Sequence, residues 1–121
     1  MSPTRSTPLC ALAAVAVLLP ACSRRVETNE TVSPDGKLAL RIEIDESGGA
    51  AVSDVTSAFV IGRDSGAAPE LIFRGSSMSG FAGKWRDGAT IQLSYTDGYV
   101  SKCNSAPVLS TGRRLGVLGC K

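Results

Sequence analysis

A segment in which large apolar residues recur at every second position constrains the fold of this chain more than any other feature. From Lys37 to Asp45 the sequence reads KLALRIEID, and its apolar side chains at every second position are Leu38, Leu40, Ile42 and Ile44. Successive side chains of a β-strand point to opposite faces, so the pattern predicts a strand with one buried face and one solvent-exposed face. The preceding Ser33-Pro34-Asp35-Gly36 is typical of a β-turn, since proline presets φ and glycine tolerates positive φ.

Further strands are predicted along the rest of the chain. The run 55–61 is rich in β-branched residues and is expected to pair antiparallel with 37–45. A short strand is predicted over 70–74, and 75–83 reads as a long flexible segment because it is rich in Gly and Ser. The alternating run 90–95 is expected to continue through an Asp97-Gly98 hairpin turn into 99–103. Residues 114–120 are predicted to add an edge strand.

The fold class that follows is mainly β, a small antiparallel sheet or sandwich-like domain. No window after the amino-terminal leader repeats apolar residues at helical spacing, so no helix of convincing length is expected there.

The leader itself is an apolar run closed by a cysteine. Arg5 lies in the polar start, Leu9 to Leu19 is unbroken apolar sequence, and Pro20, Ala21 and Cys22 follow. A helix over 9–21 would span only about 20 Å at ~1.5 Å per residue, short of a hydrocarbon core of roughly 30 Å. This pattern predicts a cleaved signal rather than a permanent transmembrane helix.

The end of the leader, Leu19-Pro20-Ala21-Cys22, resembles the lipobox of bacterial lipoproteins, although Pro20 departs from the commoner small residue. The resemblance implies cleavage after Ala21 and a diacylglyceryl thioether on Cys22, with an amide-linked acyl chain in many bacteria. Two or three acyl chains hold a protein stably on a membrane. Ser23, rather than Asp, follows the cysteine, which implies the outer membrane. The alternative is an ordinary secretory signal with an incidental cysteine.

Three regions are therefore expected: a signal peptide over 1–21, a lipidated Cys22 with a flexible tether to residue 31, and one β-rich domain over 32–121. The lipobox, the tether, the SPDGK turn before a strand, and Trp85 ahead of IQLSY resemble small bacterial lipoproteins of the Ser-Pro-Asp-Gly type. The resemblance carries no known active-site residue over to this sequence.

The four cysteines sort by position. Cys10 lies in the leader and Cys22 is assigned to lipid, which leaves Cys103 and Cys120. In an exported, oxidising setting these two are predicted to form a disulfide. A zinc site is the competing use, but two thiols without any histidine need carboxylates to complete four ligands. No metal and no cofactor are expected.

Charge and composition argue against several functions. The chain carries a net charge of +2, and removal of the leader with Arg5 leaves +1. A near-neutral chain with scattered basic residues does not predict nucleic-acid binding. The sequence has no histidine, the commonest general base near neutral pH and a frequent metal ligand. Arg63-Asp64-Ser65-Gly66 is similar to a serine-protease nucleophile loop, yet a surface turn explains it, so no catalytic residue is assigned.

Met78, Phe81 and Trp85 are the candidate binding surface, as apolar contacts on or beside the Gly-rich segment. The preferred interpretation of Phe81 and Trp85 is nevertheless that they pack on the sheet.

The function expected from these observations is a lipid-anchored, periplasm-facing envelope protein with a non-enzymatic binding or structural role. Its expected partners are the membrane, through the lipid on Cys22, and another envelope protein or a cell-wall component. A small lipoprotein inhibitor of an envelope-targeting enzyme such as lysozyme is the second hypothesis, and an enzyme is the third.

Overall fold

The computed structural model describes residues 25–46, 54–64 and 66–120. Within these ranges, eight strands form two sheets, ordered β1-β2-β3-β4-β7 and β5-β6-β8. The strands are β1 Val26–Val32, β2 Leu38–Asp45, β3 Val55–Gly62, β4 Glu70–Ser79, β5 Ala82–Asp87, β6 Thr90–Ser94, β7 Asp97–Cys103 and β8 Gly116–Leu118. The predicted mainly β class is confirmed, with an antiparallel five-stranded sheet and a smaller second sheet.

The alternation that predicted the first strand also orients the core. In β2, Leu40 lies opposite Val60 of β3 and Ile42 lies opposite Ala58, so these side chains share the inner face of the large sheet. They pack against residues of the small sheet in one buried cluster: Leu38, Leu40, Ala58, Val60, Ile72, Phe73, Ile91, Leu93, Leu115 and Val117. The antiparallel pairing predicted for β2 and β3 is confirmed over eight residue pairs.

The small sheet combines an antiparallel hairpin with one parallel strand. β5 and β6 pair antiparallel, and β8 pairs parallel with β6 at its other side. The edge strand predicted near the carboxyl terminus is therefore present, over Gly116–Leu118.

The predicted disulfide is also present: Cys103, the last residue of β7, is joined to Cys120, and their Cα atoms are 5.5 Å apart. The bond ties the large sheet to the segment that follows β8.

The Ser33-Pro34-Asp35-Gly36 turn is held by its own side chains. Gly36 has φ of 77° and its N–H donates to the Ser33 carbonyl oxygen, 2.9 Å away. Ser33 Oγ donates to Asp35 Oδ1 (2.7 Å) and accepts from the Leu38 N–H (3.1 Å). Arg113 pairs with Asp35 Oδ2 at 3.2 Å and also donates to the Gly88 carbonyl oxygen. The turn is thus connected to the β5–β6 turn and to the carboxyl-terminal loop.

The prediction of a flexible tether reaching residue 31 is wrong from Val26 onward. Val26–Val32 forms β1, which pairs antiparallel with β2 along its whole length. The apolar pattern missed this strand because all seven residues are exposed, so no alternation of burial marks it. Its β-branched Val and Thr residues were the available signal.

The flexible segment predicted over 75–83 is likewise wrong. β4 continues to Ser79 and β5 begins at Ala82. Gly75 lies within β4, where it pairs with Thr56 and Val100, and a Cβ there would lie 2.6 Å from Met78 Sδ. The glycine that the turn requires is Gly80, with φ of 66°.

The hairpin predicted at Asp97-Gly98 does not form between β6 and β7. β7 begins at Asp97 and pairs with β4 of the large sheet, so the chain changes sheets after Ser94. Thr96 directs this crossing, because its N–H and its hydroxyl both donate to the Ser79 carbonyl oxygen, at 2.9 and 3.1 Å.

The signal peptide over 1–21 and the lipidation site at Cys22 lie outside the described residues. Within the described ranges, no helix is long and apolar enough to cross a membrane.

Candidate functional site

The candidate site is a cleft of about 340 Å³ between β1 and β2 of the large sheet and the start of β5 in the small sheet. We call it the β1–β5 groove. Its lining residues are Glu27, Thr28, Asn29, Ile42, Ile44, Phe81, Ala82 and Gly83. A concave site with apolar walls and a few polar groups is the usual form of a ligand-binding cleft.

The groove exists because the two sheets are close at one end and separate at the other. A Cβ built on Gly83 would lie 3.0 Å from both Leu40 Cδ2 and Leu93 Cδ2. β5 can therefore approach β2 closely only because residue 83 is glycine. Ile42 Cδ1 would lie 3.2 Å from the same Cβ, and the groove extends from there over Ile44 toward Ala82 and Phe81.

An aromatic cluster supports the end of the groove. The ring centroid of Phe81 is 4.7 Å from that of Phe73, which is fully buried, and 6.3 Å from that of Tyr95. The centroids of Phe73 and Tyr95 are 5.8 Å apart. Tilted and offset rings at these separations attract one another beyond simple burial. Phe81 is thus held in place by the core while one side of it lines the groove.

The polar side of the groove comes from β1. Glu27 lies opposite Ile44 and Asn29 lies opposite Ile42 in the β1–β2 register, so these two polar side chains share the inner face with the isoleucines. Glu27 is the single charged residue among those that line the groove. The arrangement suits a group with an apolar body beside a cation or a hydrogen-bond donor.

The sequence-predicted surface is distributed over three environments. Phe81 lines the groove, as described. Trp85 is partly buried against the core, and its Nε1 donates to the Thr31 carbonyl oxygen at 2.8 Å. Met78 is partly buried and packs over Gly75 and Gly98. The structure therefore does not bring the three side chains together as one exposed surface, and the role in binding predicted for them stays a prediction.

Sequence reasoning missed the contribution of β1 and β2 to the groove. The sequence predicts Ile42 and Ile44 on the buried face of a strand, and they do lie on the inner face, but both are only partly covered. For Glu27 and Asn29 the sequence predicts a place in the tether. One feature of the sequence could have indicated the groove. The alternation of β2 continues to Ile44, whereas β5, which packs against it, is shorter.

Two other concave regions are poorer candidates. One lies beside the Ser33–Gly36 turn, where Arg113 is already paired with Asp35. The other is a shallow depression on the outer face of the β5–β6 hairpin, lined by Lys84, Trp85, Arg86, Gln92 and Ser94. There Arg86 donates to Gln92 Oε1 at 3.5 Å, and most of the lining is polar strand surface.

The described part of the chain offers no group of three or more acidic or cysteine side chains placed to hold a metal ion. Comparison with protein-family models, with curated proteins and with solved structures found no match to this chain.

Proposed function

We propose that this protein is a lipid-anchored component of the bacterial cell envelope, and that its domain binds another envelope component through the β1–β5 groove without catalysing a reaction. The anchor is the acyl group on Cys22, and the domain faces the periplasm, most simply from the outer membrane. The partner is an envelope protein or a cell-wall component.

The observation that carries the proposal is the disulfide between Cys103 and Cys120, in a chain whose leader ends in Leu-Pro-Ala-Cys. Disulfides persist in exported compartments and are rare in the cytosol. The bond therefore supports the same destination that the leader indicates. With Cys103 and Cys120 bonded to each other, Cys22 is the thiol available for a lipid at the end of the leader.

The non-enzymatic part rests on the chemistry of the groove. Its polar side chains are the Glu27 carboxylate and the Asn29 amide, which share the inner face of β1. Among the described residues, Glu27 is the one titratable side chain of the groove lining, and no second acidic or basic side chain lines the groove to act with it. An apolar floor with one carboxylate favours recognition, with the isoleucines and Phe81 supplying contact area and Glu27 supplying orientation.

A photo-crosslinking experiment tests the binding proposal in the full chain. A benzophenone amino acid is placed at Ala82, in the groove, or at Lys102, an exposed position of β7 at the opposite edge of the large sheet. Illumination of intact cells is expected to give a discrete adduct from position 82 and none from position 102. Mass spectrometry of the adduct identifies a protein or a glycan partner.

A second substitution connects the adduct to the groove. Ile44→Lys places a cation beside Glu27 and fills the space, so the adduct from position 82 is expected to disappear. Lys102→Glu is the matched charge change outside the groove and should leave the adduct unchanged. Equal adducts from positions 82 and 102, or an adduct that survives Ile44→Lys, would contradict binding in the groove. An adduct with lysozyme in cells exposed to that enzyme would favour the inhibitor hypothesis.

A further inference from the structure

We infer that the free edge of β1 pairs with β1 of a second copy of this chain, antiparallel and centred on Asn29, so that two large sheets join into one continuous sheet. The inference rests on the free edge of β1, on the direction of its unpaired backbone groups and on the sequence of the strand.

β1 is the most open of the strand edges in the described part of the chain. It pairs with β2 over seven residues without a register shift, and it contains no proline or lysine. The opposite edge, β7, pairs through two register irregularities and contains Gly98 at φ of 137°. In the small sheet, β5 carries one irregularity and β8 has three residues. Bulges, short strands, prolines and lysines protect many sheet edges, and β1 has none of them; the charges that it does carry are Glu27 and Glu30.

Hydrogen bonds at both ends of the β1–β2 ladder define which backbone groups of β1 are free. The Ser33 N–H donates to the Leu38 oxygen, and the Glu46 N–H donates to the Arg25 oxygen, both at 2.8 Å. In an antiparallel ladder the direction alternates along each strand, so odd-numbered residues of β1 bond to β2. The N–H and C=O groups of Val26, Thr28, Glu30 and Val32 therefore point away from β2, toward the open edge.

The sequence of β1, VETNETV, is complementary to itself when two copies run antiparallel about Asn29. Val26 then lies opposite Val32 of the second copy, and Thr28 opposite Glu30, so each outward-pointing pair exchanges backbone hydrogen bonds. Glu27 lies opposite Thr31, and Asn29 opposite Asn29. No carboxylate faces another carboxylate, although the strand carries two, and like charges directly opposite would destabilise the pairing.

Val26 and Val32 add an apolar contribution. Each is 45% exposed in the single chain, and both side chains lie on the outer face of the sheet. In the paired arrangement each valine covers the other across the strands, at both ends of the interface. A two-fold axis through the Asn29 pair leaves the inner faces of both copies on the same side, so two β1–β5 grooves would open beside each other.

Cysteine crosslinking of the full chain tests this register. Residues 29 and 29 of the two copies form a non-hydrogen-bonded pair with Cα atoms about 4.5 Å apart, within the reach of a disulfide. Asn29→Cys, oxidised mildly in whole cells, is expected to give a disulfide-linked dimer that peptide mapping assigns to position 29. Glu27→Cys is the matched control on the same face, because its counterpart lies four residues away, roughly 13 Å. Adding Thr31→Cys to Glu27→Cys should restore the dimer.

Thr28→Pro supplies a variant that keeps the fold. The Thr28 N–H points to the open edge, so proline removes no hydrogen bond to β2 but blocks the pairing with the second copy. In the Asn29→Cys background it is expected to reduce the crosslinked fraction about tenfold or more, while the Cys103–Cys120 bond still forms. Absence of a dimer from Asn29→Cys, equal dimers from Glu27→Cys alone, or a dimer unaffected by Thr28→Pro would each overturn the inference.

Discussion

The indole nitrogen of Trp85 donates a hydrogen bond to the main-chain oxygen of Thr31, 2.8 Å away. Trp85 belongs to β5 and Thr31 to β1, so one side chain joins the small sheet to the edge strand of the large sheet. This bond links β5 to β1 beside the β1–β5 groove.

Replacing Trp85 with phenylalanine removes the hydrogen bond and keeps an aromatic ring. The free energy of unfolding is expected to fall by about 1 kcal/mol, the net value of a typical protein hydrogen bond. Urea unfolding followed by circular dichroism measures the change. Tyr99→Phe is the matched control, because Tyr99 is 76% exposed, and its effect should stay within about 0.5 kcal/mol. Equal effects of the two substitutions would show that the indole bond contributes nothing.

Asp35 predicts a pH dependence of stability. The Ser33 hydroxyl and then the Lys37 N–H donate to its carboxylate, Arg113 lies beside it, and together they lower the pKa of Asp35 from 3.8 to about 2. A lowered pKa stabilises the folded chain above the unfolded value, and the contribution is lost as pH falls from about 4 to about 2. Asp35→Asn should therefore reduce stability at neutral pH. The loss of stability between about pH 4 and pH 2 should also be smaller in this variant than in the wild type. Thermal unfolding between pH 2 and 7 measures both, and parallel curves for the two proteins would contradict this role.

Asp87 contributes in the same direction, because the Ala89 N–H donates to its carboxylate and lowers the pKa. The stability of the double variant Asp35→Asn/Asp87→Asn should therefore change less with pH in the acidic range than that of Asp35→Asn alone.

The contact between the two sheets is expected to be sensitive to the size of the side chain at position 83. Valine at this position brings its Cβ against Leu40 and Leu93, at the 3.0 Å separations already noted, and adds two methyl groups. Overpacking of this kind costs about 1–3 kcal/mol. Gly116→Ala is the control, because a Cβ there meets no atom within 4 Å. Denaturant unfolding of both variants measures the difference, and a Gly83→Val protein as stable as the wild type would show that the sheets are not in close contact.

The disulfide predicts a large change in stability. Cys103 and Cys120 are 17 residues apart, and in the chain-entropy model closing a loop of this size stabilises a domain by about 3 kcal/mol. The double variant Cys103→Ser/Cys120→Ser should lose about that amount, measured by denaturant unfolding of oxidised wild type and variant. Reduction of the wild type should reproduce the loss. A variant of unchanged stability would contradict the contribution assigned to the bond.

The elements predicted correctly from sequence are those whose pattern reflects burial. β2 was predictable because its large apolar residues recur at every second position, with the charged Arg41, Glu43 and Asp45 between or after the later ones. The disulfide followed from cysteine number and position. β1 was not predictable from periodicity, since an exposed edge strand has no buried face. The crossing at Thr96 was missed because hydrogen bonds to Ser79, formed only in the tertiary structure, decide which sheet β7 joins.

The candidate site was only partly predictable for the same reason. Phe81 was identified as a contact residue, and it does line the groove. Glu27 and Ile44 belong to the site because of the strand register and because β5 is shorter than β2, and neither property is written in local sequence.

The anchor at Cys22 is the central claim, and intact-mass analysis of the full gene product from bacterial membranes tests it most directly. The wild type is expected to begin at Cys22, to carry added acyl mass, and to gain about two daltons on reduction of the Cys103–Cys120 bond. Cys22→Ser should lose the acyl mass and leave the membrane fraction. A wild-type product that begins at another residue, or that begins at Cys22 without acyl mass, would contradict the account.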